Sequence, residues 1–189
     1  MSSSINTRQL PLRLSDSYGG TRFVDLTHSY DQNGNLIGRL DDDNDGSPDE
    51  TRSMGYDNRN RLTYTDAPGL LGTASYHYDP LDNLREIDFA GGARTPQTDT
   101  YYYDSLNRLD RIYRVNTLNQ SQTVDYGHDA RGNMTLRGGQ SHGFDRANRM
   151  TWAIAGGPVE TYRYDGHGRR TGISRTGNRQ IGAWAGTIF

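Results

Sequence analysis

The densest set of hard oxygen donors in the chain is Asp41-Asp42-Asp43-Asn44-Asp45-Gly46-Ser47-Pro48-Asp49. Asp41, Asp43, Asp45 and Asp49 are spaced to wrap a hard cation around a glycine turn, and the ion they suit is calcium. The twelfth position, where a calcium loop carries a bidentate glutamate, is Arg52. Asn44-Asp45-Gly46 is also ordinary turn sequence. A polar hairpin tip is therefore the first expectation and a calcium loop the second; no other cofactor is expected.

Histidine offers metal ligation and general-base chemistry, and the chain has His28, His77, His128, His142 and His167. They are scattered without a short ligand spacing, so neither a zinc site nor a catalytic base is expected of them. Serine lies beside histidine in Thr27-His28-Ser29 and Ser141-His142, but no nucleophile-elbow sequence accompanies them. Gly166-His167-Gly168 lacks the continuation and the helix that a phosphate loop requires. No catalytic residue is expected, and the chain does not read as an enzyme. Aromatic rings interleaved with Asp, Asn and Arg suit one other chemistry, the stacking and hydrogen bonding of sugars.

The elements that position these groups follow from a seven-residue phrase, aromatic-Asp-x-x-(Gly/Asn/Asp)-(Asn/Arg)-(Leu/Met). It starts at Tyr30, Tyr56, Tyr78, Tyr103, His128, Phe144 and, with arginine last, Tyr164. Regular recurrence at this interval marks a repeat architecture. Upstream, aromatic or apolar residues occupy alternate positions, as at Tyr76 and Tyr78 or Tyr162 and Tyr164, and a period of two places them on one strand face. The fifth residue is Gly34, Asn60, Asp82, Asn107, Gly132, Asn148 or Gly168. These types tolerate a left-handed backbone, which predicts a three-residue hairpin loop. In such a hairpin the aromatic faces the Leu or Met, while Asp31, Asp57, Asp79, Asp104, Asp129, Asp145 and Asp165 accept from turn amides or from the residue at position six. One hairpin is marginal in water, so the copies must pair edge to edge. Intervening segments read as return strands. The fold class is thus all-β, built of antiparallel hairpin repeats.

Composition agrees with a scaffold. Leu, Ile, Val and Phe total 31 of 189 residues, whereas tyrosine numbers 13 and net charge is −2. An aromatic, polar-rimmed and thin interior is expected in place of an aliphatic one. Cysteine is absent, which excludes disulfides and thiolate metal sites. All 21 basic residues are arginine and lie interspersed with acids, so no basic stripe offers itself to nucleic acid. No apolar run resembles a signal peptide or spans a bilayer.

The phrase resembles the YD repeat of the Rhs (rearrangement hotspot) family, shared with teneurins and the shell subunits of Tc toxin complexes. The resemblance covers residues 23–175. It implies a bacterial repeat protein whose hairpins form a curved, open strip of a β-spiral shell. It also implies a structural role in enclosing or presenting a polymorphic toxin, with further YD repeats of the same or an adjacent protein as partners. A cell-surface adhesion or carbohydrate-binding module is the alternative. Export or surface display would depend on a partner secretion system. Residues 1–22 are expected to be lead-in strands or disordered, 23–175 to hold seven hairpin repeats, and 176–189 to form an off-pattern tail. The aspartate-containing core motif of full Rhs shells is not found, Asp79-Pro80 being the sole Asp-Pro. A fragment of a shell is expected.

Overall fold

A computed structural model describes residues 2–42, 51–68, 72–92 and 95–176. Among these the regular structure is entirely strand, so no helix is long and apolar enough to cross a membrane. Eight hairpins follow one another: β1 (Ser2–Ile5) with β2 (Pro11–Tyr18), β3 (Thr21–Tyr30) with β4 (Leu36–Asp41), β5 (Arg52–Tyr56) with β6 (Leu62–Ala67), and β7 (Gly72–Tyr78) with β8 (Leu84–Ala90). The others are β9 (Gln97–Tyr103) with β10 (Leu109–Asn116), β11 (Ser121–His128) with β12 (Met134–Arg137), β13 (Gln140–Phe144) with β14 (Met150–Ala155), and β15 (Glu160–Tyr164) with β16 (Arg170–Arg175). The hydrogen-bonded strand order is the chain order, β1 to β16, with no crossover. A meander of this kind is what short turns between consecutive strands permit.

The chain divides into two compact units. One comprises Met1–Tyr101 with Arg114–Gln122, the other Tyr102–Tyr113 with Thr123–Phe189. In each unit the register at the phrase is the same. The aromatic pairs with the seventh residue, as Tyr30 with Leu36, Tyr56 with Leu62 and Tyr78 with Leu84 in the first unit. His128 with Met134, Phe144 with Met150 and Tyr164 with Arg170 follow suit in the second. Immediately upstream of the aromatic the register slips by one residue, a bulge in which the return strand has one more residue than its partner.

Burial is shallow. Among the described residues of the first unit the buried apolar ones are Ala67, Ala74 and Ile87. All seven phrase aromatics are half-buried. Strand β7 shows why so little aliphatic mass suffices: Gly72, Ala74, Tyr76 and Tyr78 turn inward while His77 turns out. Each buried ring removes a large apolar area from water, so one face combining rings with small residues needs few side chains. Burial is completed by charge. Asp25, 1% exposed, receives a bidentate pair from Arg13 at 2.7 Å and a third contact from Arg22 at 2.7 Å. Asp99, 3% exposed, receives Arg114 at 2.7 and 2.8 Å and the amide of Gln97 at 2.8 Å. A carboxylate can be buried only when its lone pairs are so filled.

Candidate functional site: a ladder of aspartate turns

Each phrase folds around its aspartate. Asp31 Oδ1 accepts the amides of Asn33 and Asn35 at 2.9 Å, and its Oδ2 accepts Asn35 Nδ2 at 2.8 Å. Asp57 does the same with the amides of Arg59 and Arg61 and with Arg61 Nε. Asp79 takes Leu81 and Asn83, and Asp104 takes Leu106 and Arg108. In the second unit Asp129, Asp145 and Asp165 repeat the pattern with Asn133, Arg149 and Arg169. The fifth residue has positive φ in every copy, from Asn148 at 59° to Gly34 at 91°.

The same arrangement holds the pKa of every phrase aspartate below the usual carboxylate value. Its largest cause is always the sixth residue. The side chain of that residue dominates at Asp31, Asp79, Asp129 and Asp145. At Asp57, Asp104 and Asp165 the backbone amide of the arginine dominates. Hydrogen bonds made to the ionised form favour that form.

Two further turns share this geometry without the phrase. At Ile5–Pro11, Asn6 Oδ1 accepts the amides of Arg8 and Leu10 while Gln9 has φ 61°. At Val115–Ser121, Asn116 Oδ1 accepts those of Leu118 and Gln120 while Asn119 has φ 57°. Asparagine supplies the amide-accepting oxygen without the charge. The signal in the sequence is Asn-x-x-(Gln/Asn) at the phrase spacing, which the missing aromatic and aspartate conceal.

Neighbouring hairpins are stitched together by three contacts of one kind each. The hydroxyl of the phrase tyrosine donates to the carbonyl of the seventh residue of the preceding turn. Tyr30 reaches Pro11, Tyr56 reaches Leu36, Tyr78 reaches Leu62 and Tyr164 reaches Met150, at 2.8–3.0 Å. The sixth residue reaches forward to the fifth residue of the next turn: Asn35 to Asn60 at 2.8 Å, Arg61 to Asp82 at 2.7 Å, Asn133 to Asn148 at 2.9 Å. Where that residue is Gly132, Arg108 takes the backbone carbonyl of Asp129 at 3.0 Å. Finally, Arg61 lies over the ring of Tyr78 at 4.7 Å and Arg149 over Tyr164 at 4.9 Å.

Replacing Tyr78 by Phe keeps the ring and its place under Arg61 but removes the bond to Leu62. The expected loss is about 0.5–1.5 kcal/mol, read as a shift of the urea midpoint with an unchanged m-value. No loss would show that the hydroxyl contributes nothing to joining hairpins.

The other candidate groups lie apart. Asp41 ends β4, and its amide donates to Thr51 Oγ1 at 3.2 Å; Asp43, Asp45 and Asp49 lie outside the described residues. His28 and His142 are half-buried, each with an Nδ1 that has no hydrogen-bond partner. His128 pairs with Met134, and the amide of His167 serves the seventh turn. His77 is exposed on the outer face of β7.

The fold is shared with part of a Tc toxin assembly. A solved chain from the Photorhabdus luminescens Tc holotoxin pore, in a form carrying a TccC3 mutation, superposes with a TM-score of 0.63 at 19% identity. The match covers 92% of this chain and 11% of that chain. This chain thus spans about a tenth of that one. At such identity the likeness establishes the hairpin-repeat fold and no more. No protein-family model and no curated protein matches the sequence.

Proposed function

We propose that the chain is a structural YD-repeat module, a fragment of an Rhs-type shell that encapsulates or presents a polymorphic toxin, without catalysis of its own. The observation that carries this reading is the destination of the repeated polar groups. The phrase aspartates, the sixth-position residues and four phrase tyrosine hydroxyls are spent on holding one hairpin to itself or to the next. A catalyst or receptor leaves such groups convergent on an open site. The likeness to a segment of a Tc toxin chain supports the same role. Further repeats of the same or an adjacent protein are the partners that open strand edges would take. Export through a partner secretion system belongs to this proposal.

The adhesion or carbohydrate-binding alternative draws on the exposed rings, of which Tyr18 is 86% exposed and Phe23 44%. A glycan array separates the two. A scaffold gives no hits, and its phrase tyrosines resist nitration in the folded chain. Hits lost on changing Tyr18→Ala would replace the scaffold with an adhesin.

A further inference from the structure

We propose that the outer face of β7 and β8 carries a three-ligand site for a divalent transition metal of the zinc class, made by His77, Glu86 and Asp88. One donor atom from each of the three lies within 4.8 Å of the other two. Strand register brings them together. His77 is paired directly with Glu86, and Ser75 with Asp88, so the three side chains share one face two residues apart. That face is opposite the one holding Tyr76 and Tyr78, which leaves the donors at the surface and open to an ion.

The His77–Asp88 separation fits a metal, and Glu86 lies within 4.8 Å of both. His77 Nε2 lies 3.3 Å from Asp88 Oδ2. Zinc bonds of ~2.0–2.2 Å at a tetrahedral angle place two ligand atoms about 3.3–3.5 Å apart, so that pair already spans one edge of a coordination tetrahedron. Asp88 is also oriented from behind, because Thr98 Oγ1 donates to its Oδ1 at 2.6 Å. A carboxylate fixed by an outer hydrogen bond is the usual partner arrangement in metal sites. One imidazole and two carboxylates suit Zn²⁺, Ni²⁺ or Co²⁺ better than the all-oxygen shell of calcium. Three protein ligands leave a fourth position for water or for a donor from another molecule. The simpler account is a surface His–Asp pair in which Glu86 has no part.

Titration calorimetry of the whole chain with ZnCl₂, repeated on His77→Ala, Glu86→Gln and Asp88→Asn, distinguishes these. A one-to-one isotherm weakened at least ~10-fold by each substitution is expected, since even outer-shell changes cost metal sites that much. Circular dichroism of each variant confirms that its fold is intact. Excess CaCl₂ leaves the zinc isotherm unchanged if the site is of the proposed class. The proposal is overturned by the absence of saturable binding, by binding indifferent to Glu86→Gln, or by binding that survives His77→Ala.

Discussion

Acidification from about pH 6 to about pH 3 is expected to unfold the chain steeply, with uptake of several protons per molecule. Seven phrase aspartates are held below the ordinary carboxylate range by turn amides and sixth-position side chains. In the unfolded chain each returns to about 3.9. A group depressed in this way contributes its full stability above the unfolded value. That contribution falls as the pH drops through it, and is gone below the folded value. Asp25, lowered by Arg13, and Glu160, lowered by Tyr162 and Arg175, add to the same limb. No single residue is decisive; the effect is large because the turn is repeated. Asn6 and Asn116 show that an amide oxygen can hold the turn without titrating. Converting Asp31, Asp79 and Asp129 to Asn should therefore flatten the acid limb while costing less at neutral pH than conversion to Ala. Urea midpoints measured from neutral to acid pH give the slope. A flat profile down to about pH 3 would mean that the turn aspartates do not hold the fold together.

Among the described glycines whose added carbon would meet backbone, Gly72→Ala is expected to be the most damaging substitution. Gly72 opens β7 with φ 72°, where an L-residue costs ~1–2 kcal/mol. Its added Cβ would also meet backbone, namely the carbonyl oxygen of Ala90 and the carbonyl carbon of Gly91, with the Gly91 oxygen at 2.6 Å. Backbone cannot rotate away as a side chain does, so the end of the β7–β8 hairpin must move. The total should reach about 3 kcal/mol, or a fall in Tm of roughly 6–12 °C for a chain of this size. Gly132→Ala is the control. Its φ is 85° but nothing lies within 4 Å of the added carbon, so it carries the conformational cost alone. Equal losses from the two substitutions would contradict the close approach at Gly72.

What the sequence made legible was local. Alternation and left-handed residue types located the hairpins, and the tyrosine–leucine pairing follows from a loop of three residues. Contacts between hairpins were less legible. A tyrosine hydroxyl bonded to Pro11, Leu36 or Leu62 depends on which strands become neighbours, although tyrosine in place of phenylalanine at five phrase positions is its trace. Asp25 and Asp99 lie outside the seven-residue phrase. Their burial rests on arginines brought from 12 and 15 positions away by register. The turns at Asn6 and Asn116 were hidden because hydrogen bonding needs an oxygen at the second position and not a charge. His77, Glu86 and Asp88 converge only when β7 pairs with β8. The expected calcium loop lies largely outside the described residues.

Sedimentation velocity of the isolated chain over a wide concentration range tests the central claim most directly. Among the described residues β1 and β16 each have a single neighbour in the strand order, and on the proposed reading these two edges are the ones that take further repeats. Association that grows with concentration is the predicted result, reduced by a charge on the edge strand such as Ile173→Lys. A monodisperse monomer at every concentration, unfolding cooperatively and indifferent to that substitution, would contradict it.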